Sequence, residues 1–112
     1  MIAWVDGPVD DEPVFRALAY RHRRALLDVL YERDGQSLGA LASTLPAMTR
    51  FGVAKHLAVL EAGGLVVTRR VGRSKLHYLN PVPIRLIHDR WISKYAGPWV
   101  SALTDLKHRL EH

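Results

Sequence analysis

Much of the chemistry open to a 112-residue chain depends on side chains that this one lacks or spaces badly. There is no cysteine, which excludes disulfides, thiolate metal sites and cysteine nucleophiles. Serines are scattered, and His88-Asp89 are neighbours in sequence, so on a helix they diverge instead of converging on one substrate. No catalytic residue and no cofactor are therefore assigned. What the sequence does concentrate is positive charge. Residues 1–49 hold five Lys/Arg against seven Asp/Glu, residues 50–94 hold nine against two, and residues 95–112 hold two against two. The net charge of +5 thus comes from one central block beside an acidic one, a pattern that points to a polyanion met by a particular face. The alternative is a solvated basic surface with no partner.

Within that block the cations fall in two places: Arg50 and Lys55 in "MTRFGVAKHLAVLEAGGLV" (48–66), and Arg69, Arg70, Arg73 and Lys75 in "LVVTRRVGRSKLHYL" (65–79). The first stretch has helical periodicity. At about 100° per residue, Val53, Leu57 and Leu60 cluster with Ala54 at their edge as the inward face. Phe51, Gly52, Lys55, Val59 and Ala62 then point outward, and Arg50 precedes the packed part. Such a helix can lie in a major groove, its glycine allowing close approach and Phe51 available to a thymine methyl or a sugar. Its first turns carry cations and no acid before Glu61, an arrangement that the helix dipole disfavours unless an anion is present. The second stretch alternates as a hairpin with Gly72 in its turn, and its cations can lie along phosphates or the minor groove.

The remaining elements must hold these two in place. Residues 1–13 contain two prolines, a glycine and four acids and are expected to form a flexible leader, with Ile2, Trp4 and Val5 available for packing. The domain then spans residues 14–112. Apolar spacing predicts two helices over "VFRALAYRHRRALLDVLYERDG", broken near Tyr20 to His22. A short helix follows, capped by Ser37, with Leu38, Leu41, Ala42 and Leu45 on one stripe before Pro46. Only "PAMT" separates it from the 48–66 helix, so the two must cross. Gly63-Gly64 suit a left-handed helix end. From Pro83 the pattern is helical again, with a kink or restart at Gly97-Pro98. Trp91, Tyr95 and Trp99 recur at helical spacing, and Trp99, Leu103, Leu106 and Leu110 are spaced as a helix seam. These six are the candidate dimerisation residues. The fold class expected is mainly α with a β-hairpin wing.

With a helix-turn-helix, a Gly-Gly stop and a basic hairpin in succession, the chain resembles the ArsR/SmtB family of winged helix-turn-helix transcriptional regulators from about Val14 onward. The resemblance rests on "FRALAYRHRRALLDVL", "VAKHLAVLEAGGLV" and "RRVGRSKLHYLNP". The tail "RWISKYAGPWVSALTDLKHRL" is similar to the metal-independent branch. The resemblance implies a dimer through the first and last helices that occludes a promoter by binding a near-palindromic operator in double-stranded DNA. It places base-reading positions on Thr49, Arg50, Gly52, Lys55 and His56, and wing contacts on Arg70, Arg73 and Lys75. Two departures bear on the operator: Ala54 stands where a serine is common, and Arg50 and Phe51 replace smaller or amide residues.

Metal-sensing members of that family place cysteines where this chain has "SLGALAS", and an Asp-x-His motif where it has Tyr95 and Gly97. His108 and Glu111 match only the second half of that site, so no metal is expected. His56 is expected at the rim of the core, bonded to the backbone or a phosphate, and His22 and His77 as surface or packing residues. The Trp91–Trp99 aromatics could also line a pocket for a small-molecule effector. No apolar run approaches the roughly 20 residues of a membrane helix, and the acidic N-terminus is unlike a signal sequence, so a cytoplasmic protein is the default. The competing class is a winged-helix protein-interaction module whose basic face binds an acidic protein.

Overall fold

The computed structural model describes residues 10–111, apart from the side chains of Pro98 and Trp99. Ile2, Trp4, Val5 and most of the expected leader lie outside the described residues. Among the described residues, eight regular elements and a short 3-10 turn follow in order: α1 (Glu12–Leu18), α2 (Arg21–Glu32), α3 (Leu38–Thr44), α4 (Arg50–Ala62), β1 (Val66–Val71), β2 (Ser74–Leu79), α5 (Val82–Arg90), the turn Ile92–Lys94, and α6 (Pro98–Glu111).

Local chemistry sets most of the boundaries. α1 begins at Glu12, two residues before the domain edge drawn at Val14, because Pro13 occupies the first turn, where a missing N–H removes no helical bond. The break before α2 falls at Tyr20, whose backbone is extended. The Ser37 side chain accepts from the Ala40 N–H at 3.2 Å, and Thr49 Oγ1 accepts from the Gly52 N–H at 3.0 Å. Each cap satisfies one donor that the helix start leaves open. α4 stops in a Schellman motif. Gly64 has φ +76°, its N–H donates to the Glu61 carbonyl, and the Leu65 N–H reaches back to the Leu60 carbonyl at 2.9 Å.

The core lies where α2, α3, α4 and α5 meet. Leu26, Leu30, Leu41, Val53, Leu57, Leu60, Leu65 and Ile87 are each at most 2% exposed, so the inward face expected for α4 is the buried one. Val59 differs: expected outward, it is half-buried and packs on the core. It lies one turn before Gly63, where a Cβ would stand 2.9 Å from the Pro13 carbonyl oxygen and 3.2 Å from the Ala17 Cβ. α1 therefore covers a side of α4 that the helical wheel alone leaves to solvent.

The hairpin pairs Val66 with Leu79, Arg70 with Lys75 and Val71 with Ser74. Gly72 takes the first central turn position at φ +62°, as a two-residue hairpin of the II′ kind demands. Gln36 bridges His77 on the outer edge of β2, which ties the loop before α3 to the wing. After α5 the chain passes through the 3-10 turn and restarts at Gly97, φ +71°, into α6. Every described side chain of α6 is exposed. The radius of gyration is 18.1 Å, against roughly 13 Å for a compact chain of this length.

Candidate nucleic-acid interface

Arg50, the first residue of α4, lies alongside the start of α3: its guanidinium is 3.7 Å from the point where a Cβ on Gly39 would stand. Four residues along, Ala54 continues the same side, followed by Ala58 and Glu61. Facing them across a cleft of about 550 Å³ are Arg73, Ser74, Lys75 and His77 of the wing. Small alanines leave the space and basic residues line it. Lys55 sits about 140° round the helix from Arg50 and points to solvent, its ammonium 5.5 Å from the centre of the Phe51 ring. The exposed surface of α4 thus has two flanks: Phe51 and Lys55 outward, Arg50 and Ala54 toward the wing.

Register sorts the wing cations. Directly paired residues share a sheet face, so Arg70 and Lys75 stand together on the side of buried His77 and Val66, which looks toward α4. Arg69, paired with Leu76, is on the opposite face with Val67 and Val71. The four cations expected to act as one group are therefore divided, with Arg69 apart from the cleft.

His56 is likewise drawn away from the group. It was expected to bond the backbone or a phosphate, but its Nδ1 accepts from Arg23 Nε at 3.3 Å. Arg23 is 8% exposed. Its Nη1 donates to the Arg16 carbonyl, and its guanidinium carbon lies 4.4 Å above the Tyr20 ring. One arginine thus joins α1, the α1–α2 break and α4. His56 titrates below the usual histidine value of 6.5, chiefly because burial disfavours its cation and then because Arg23, His22 and Lys55 repel it. Accepting at Nδ1 places the ring proton of the neutral form on Nε2. His77 is a packing residue, 4% exposed, with Nδ1 at 2.9 Å from the Gln36 carbonyl.

Two contributors were not singled out in the sequence. Glu61 Oε1 is 3.6 Å from Lys75 Nζ, and Arg23 anchors α4. The signal for Glu61 was its place as the first acid after Arg50, but its partner lies on the second strand of a hairpin whose register the sequence does not state.

Outside the cleft, the Trp91 ring meets Phe15 of α1 edge-on at 5.8 Å and Tyr95 at 5.5 Å. Trp91 and Tyr95 are half-exposed, as are Leu103 and Leu106. The Trp99 side chain lies outside the described residues. Among the described residues no group of three or more His, Asp or Glu could hold a metal ion. None of the described helices is long and apolar enough to cross a membrane.

A helix-turn-helix domain family matches residues 18–69. The HTH-type transcriptional regulator YuzN of Bacillus subtilis is 36% identical over 86 residues, spanning 72% of this chain and 94% of YuzN. The ArsR-like transcriptional regulator from Rhodococcus sp. RHA1 superposes with a TM-score of 0.66 at 31% identity, covering 89% of each chain. The chain belongs to the ArsR family. As a winged helix-turn-helix regulator it is also similar to the cadmium metal-sensor CMTR from Mycobacterium tuberculosis, with a TM-score of 0.55 and 31% identity over 71% of this chain and 81% of that one. In this regulator the second helix of the helix-turn-helix is α4 and the hairpin wing is β1–β2, and Arg50, Arg73 and Lys75 of the central charge block line the cleft between them.

Proposed function

We propose that this regulator binds double-stranded DNA as a homodimer, with α4 in the major groove and the wing on the adjoining phosphates, and represses by covering a promoter. One observation carries the reading: the hairpin register sets Arg70 directly across from Lys75, on the sheet face that looks into a cleft also lined by Arg50 and Arg73. Like charges directly opposite on a sheet are unfavourable. A phosphate strand running through the cleft removes that repulsion. Thr49, Gly52 and Phe51 lie at the end of α4 that would enter the groove, Lys55 beside them, and Arg69 would touch DNA only from the back of the wing. A small-molecule effector, if one acts, has the aromatic group Trp91–Tyr95 as its candidate seat.

The homodimer follows from α6. Leu103, Leu106 and Leu110 are 50–79% exposed along one stripe of a 14-residue helix that would be marginal alone. A second copy presenting the same stripe would cover it and set two α4 helices on one duplex.

Selection from random duplexes tests the reading. Enrichment of a near-palindromic motif, bound by two chains and weakened steeply by salt, is expected. Recovery of no motif would favour the protein-interaction module instead.

A further inference from the structure

The cleft holds one negative charge among its cations. Among the described residues Glu61 is the sole acid lining it, and it sits in the last turn of α4, where no basic residue of the same helix offsets the negative end of the dipole. Its partner comes from the wing: Lys75 Nζ at 3.6 Å, with the two side chains 31% and 49% exposed. That distance is well beyond the 2.7–2.9 Å typical of a tight charge-assisted hydrogen bond. Such a half-exposed pair adds little to the stability of the fold. It does relieve two local conflicts, the acid at its helix end and the Arg70–Lys75 pairing.

We propose that Glu61 is a built-in counter-anion of the wing, occupying Lys75 in the free regulator until a DNA phosphate takes its place. This deepens the DNA-binding reading above and rests on it. A phosphate that captures Lys75 leaves the Glu61 carboxylate beside the incoming strand without its cation, so a counter-cation must be taken up or the repulsion borne. The cost is the same for every duplex, because it depends on backbone charge and not on bases. Its effect is a threshold: random DNA, held by charge alone, falls below useful affinity, while a site that also makes base contacts stays above it.

The test is a double-mutant cycle on the full chain, measuring affinity for a selected site and for a random duplex across a salt series. Glu61→Gln is expected to tighten both by the same factor, about fivefold near 0.1 M salt, the worth of roughly one charge contact in water. The log–log salt slope should steepen as the counter-cation uptake disappears. In a Lys75→Gln background the Glu61→Gln gain should shrink to what direct repulsion between Glu61 and the phosphates contributes. A gain of equal size in that background would show that Glu61 acts only as general negative charge and would overturn the clasp, as would an unchanged slope. Failure of the wild type to bind any duplex would overturn the DNA reading itself. Thermal unfolding of each variant checks that the fold is intact.

Discussion

At Gly63 the carbonyl of Pro13 comes to 2.9 Å from where a Cβ would stand, while the neighbouring Gly64 holds φ +76° with only Pro83 near it. The two adjacent glycines therefore resist substitution for different reasons. Gly63→Ala forces α1 off α4 and should cost about 1–3 kcal/mol, as overpacking does. Gly64→Ala leaves the packing alone and should cost about 1–2 kcal/mol through backbone conformation. Urea unfolding measures both, and a negligible loss at Gly63 would contradict the α1–α4 contact. His56 supplies a pH prediction. Its folded form binds a proton less readily than a free histidine, because of burial and then Arg23, His22 and Lys55. Unfolding below 6.5 therefore takes up a proton. Its contribution to stability is complete above that value and is lost as pH falls toward the lower folded value. The unfolding midpoint should drop over this window, and less so in His56→Gln, which keeps an acceptor for Arg23; parallel pH curves for the two proteins would refute it.

At the scale of elements, the hairpin is the informative piece. Alternation and Gly72 mark its strands and turn, yet which cations share a face depends on pairing Arg70 with Lys75 and Arg69 with Leu76. Arg70→Ala should reduce the salt slope of DNA binding by about 0.9, one phosphate contact, and Arg69→Ala by less than half of that. Equal losses would mean that the wing meets DNA edge-on, with both faces engaged. α4 is similar in kind: its buried stripe is evident from spacing, whereas the inward turn of His56 and Val59 follows from where α1 and α2 lie against it.

At the scale of the molecule, α6 stands away from the domain with its leucine stripe uncovered by any described element. Leu106→Glu should convert a dimer to monomers in sedimentation equilibrium, lower helicity in far-UV circular dichroism because a lone 14-residue helix is marginal in water, and weaken binding to a two-half-site duplex far more than to a single half-site. An unchanged mass would remove α6 from the interface. The same element contributes to the extent of the chain, because its side chains bury nothing against the other described elements.

The order of the main elements, the cap at Ser37, the Gly63-Gly64 stop, the turn at Gly72 and the restart at Gly97 were legible from sequence because each depends on residues within a turn or two of one another; the cap at Thr49 was not anticipated. So was the clustering of charge between residues 50 and 94, which is a property of composition. Orientation was not legible. The capture of His56 by Arg23, the covering of Val59 and the Glu61–Lys75 pair each arise where separate segments meet. There the register of a hairpin or the approach of a neighbouring helix selects one side of an element whose own periodicity leaves several sides open.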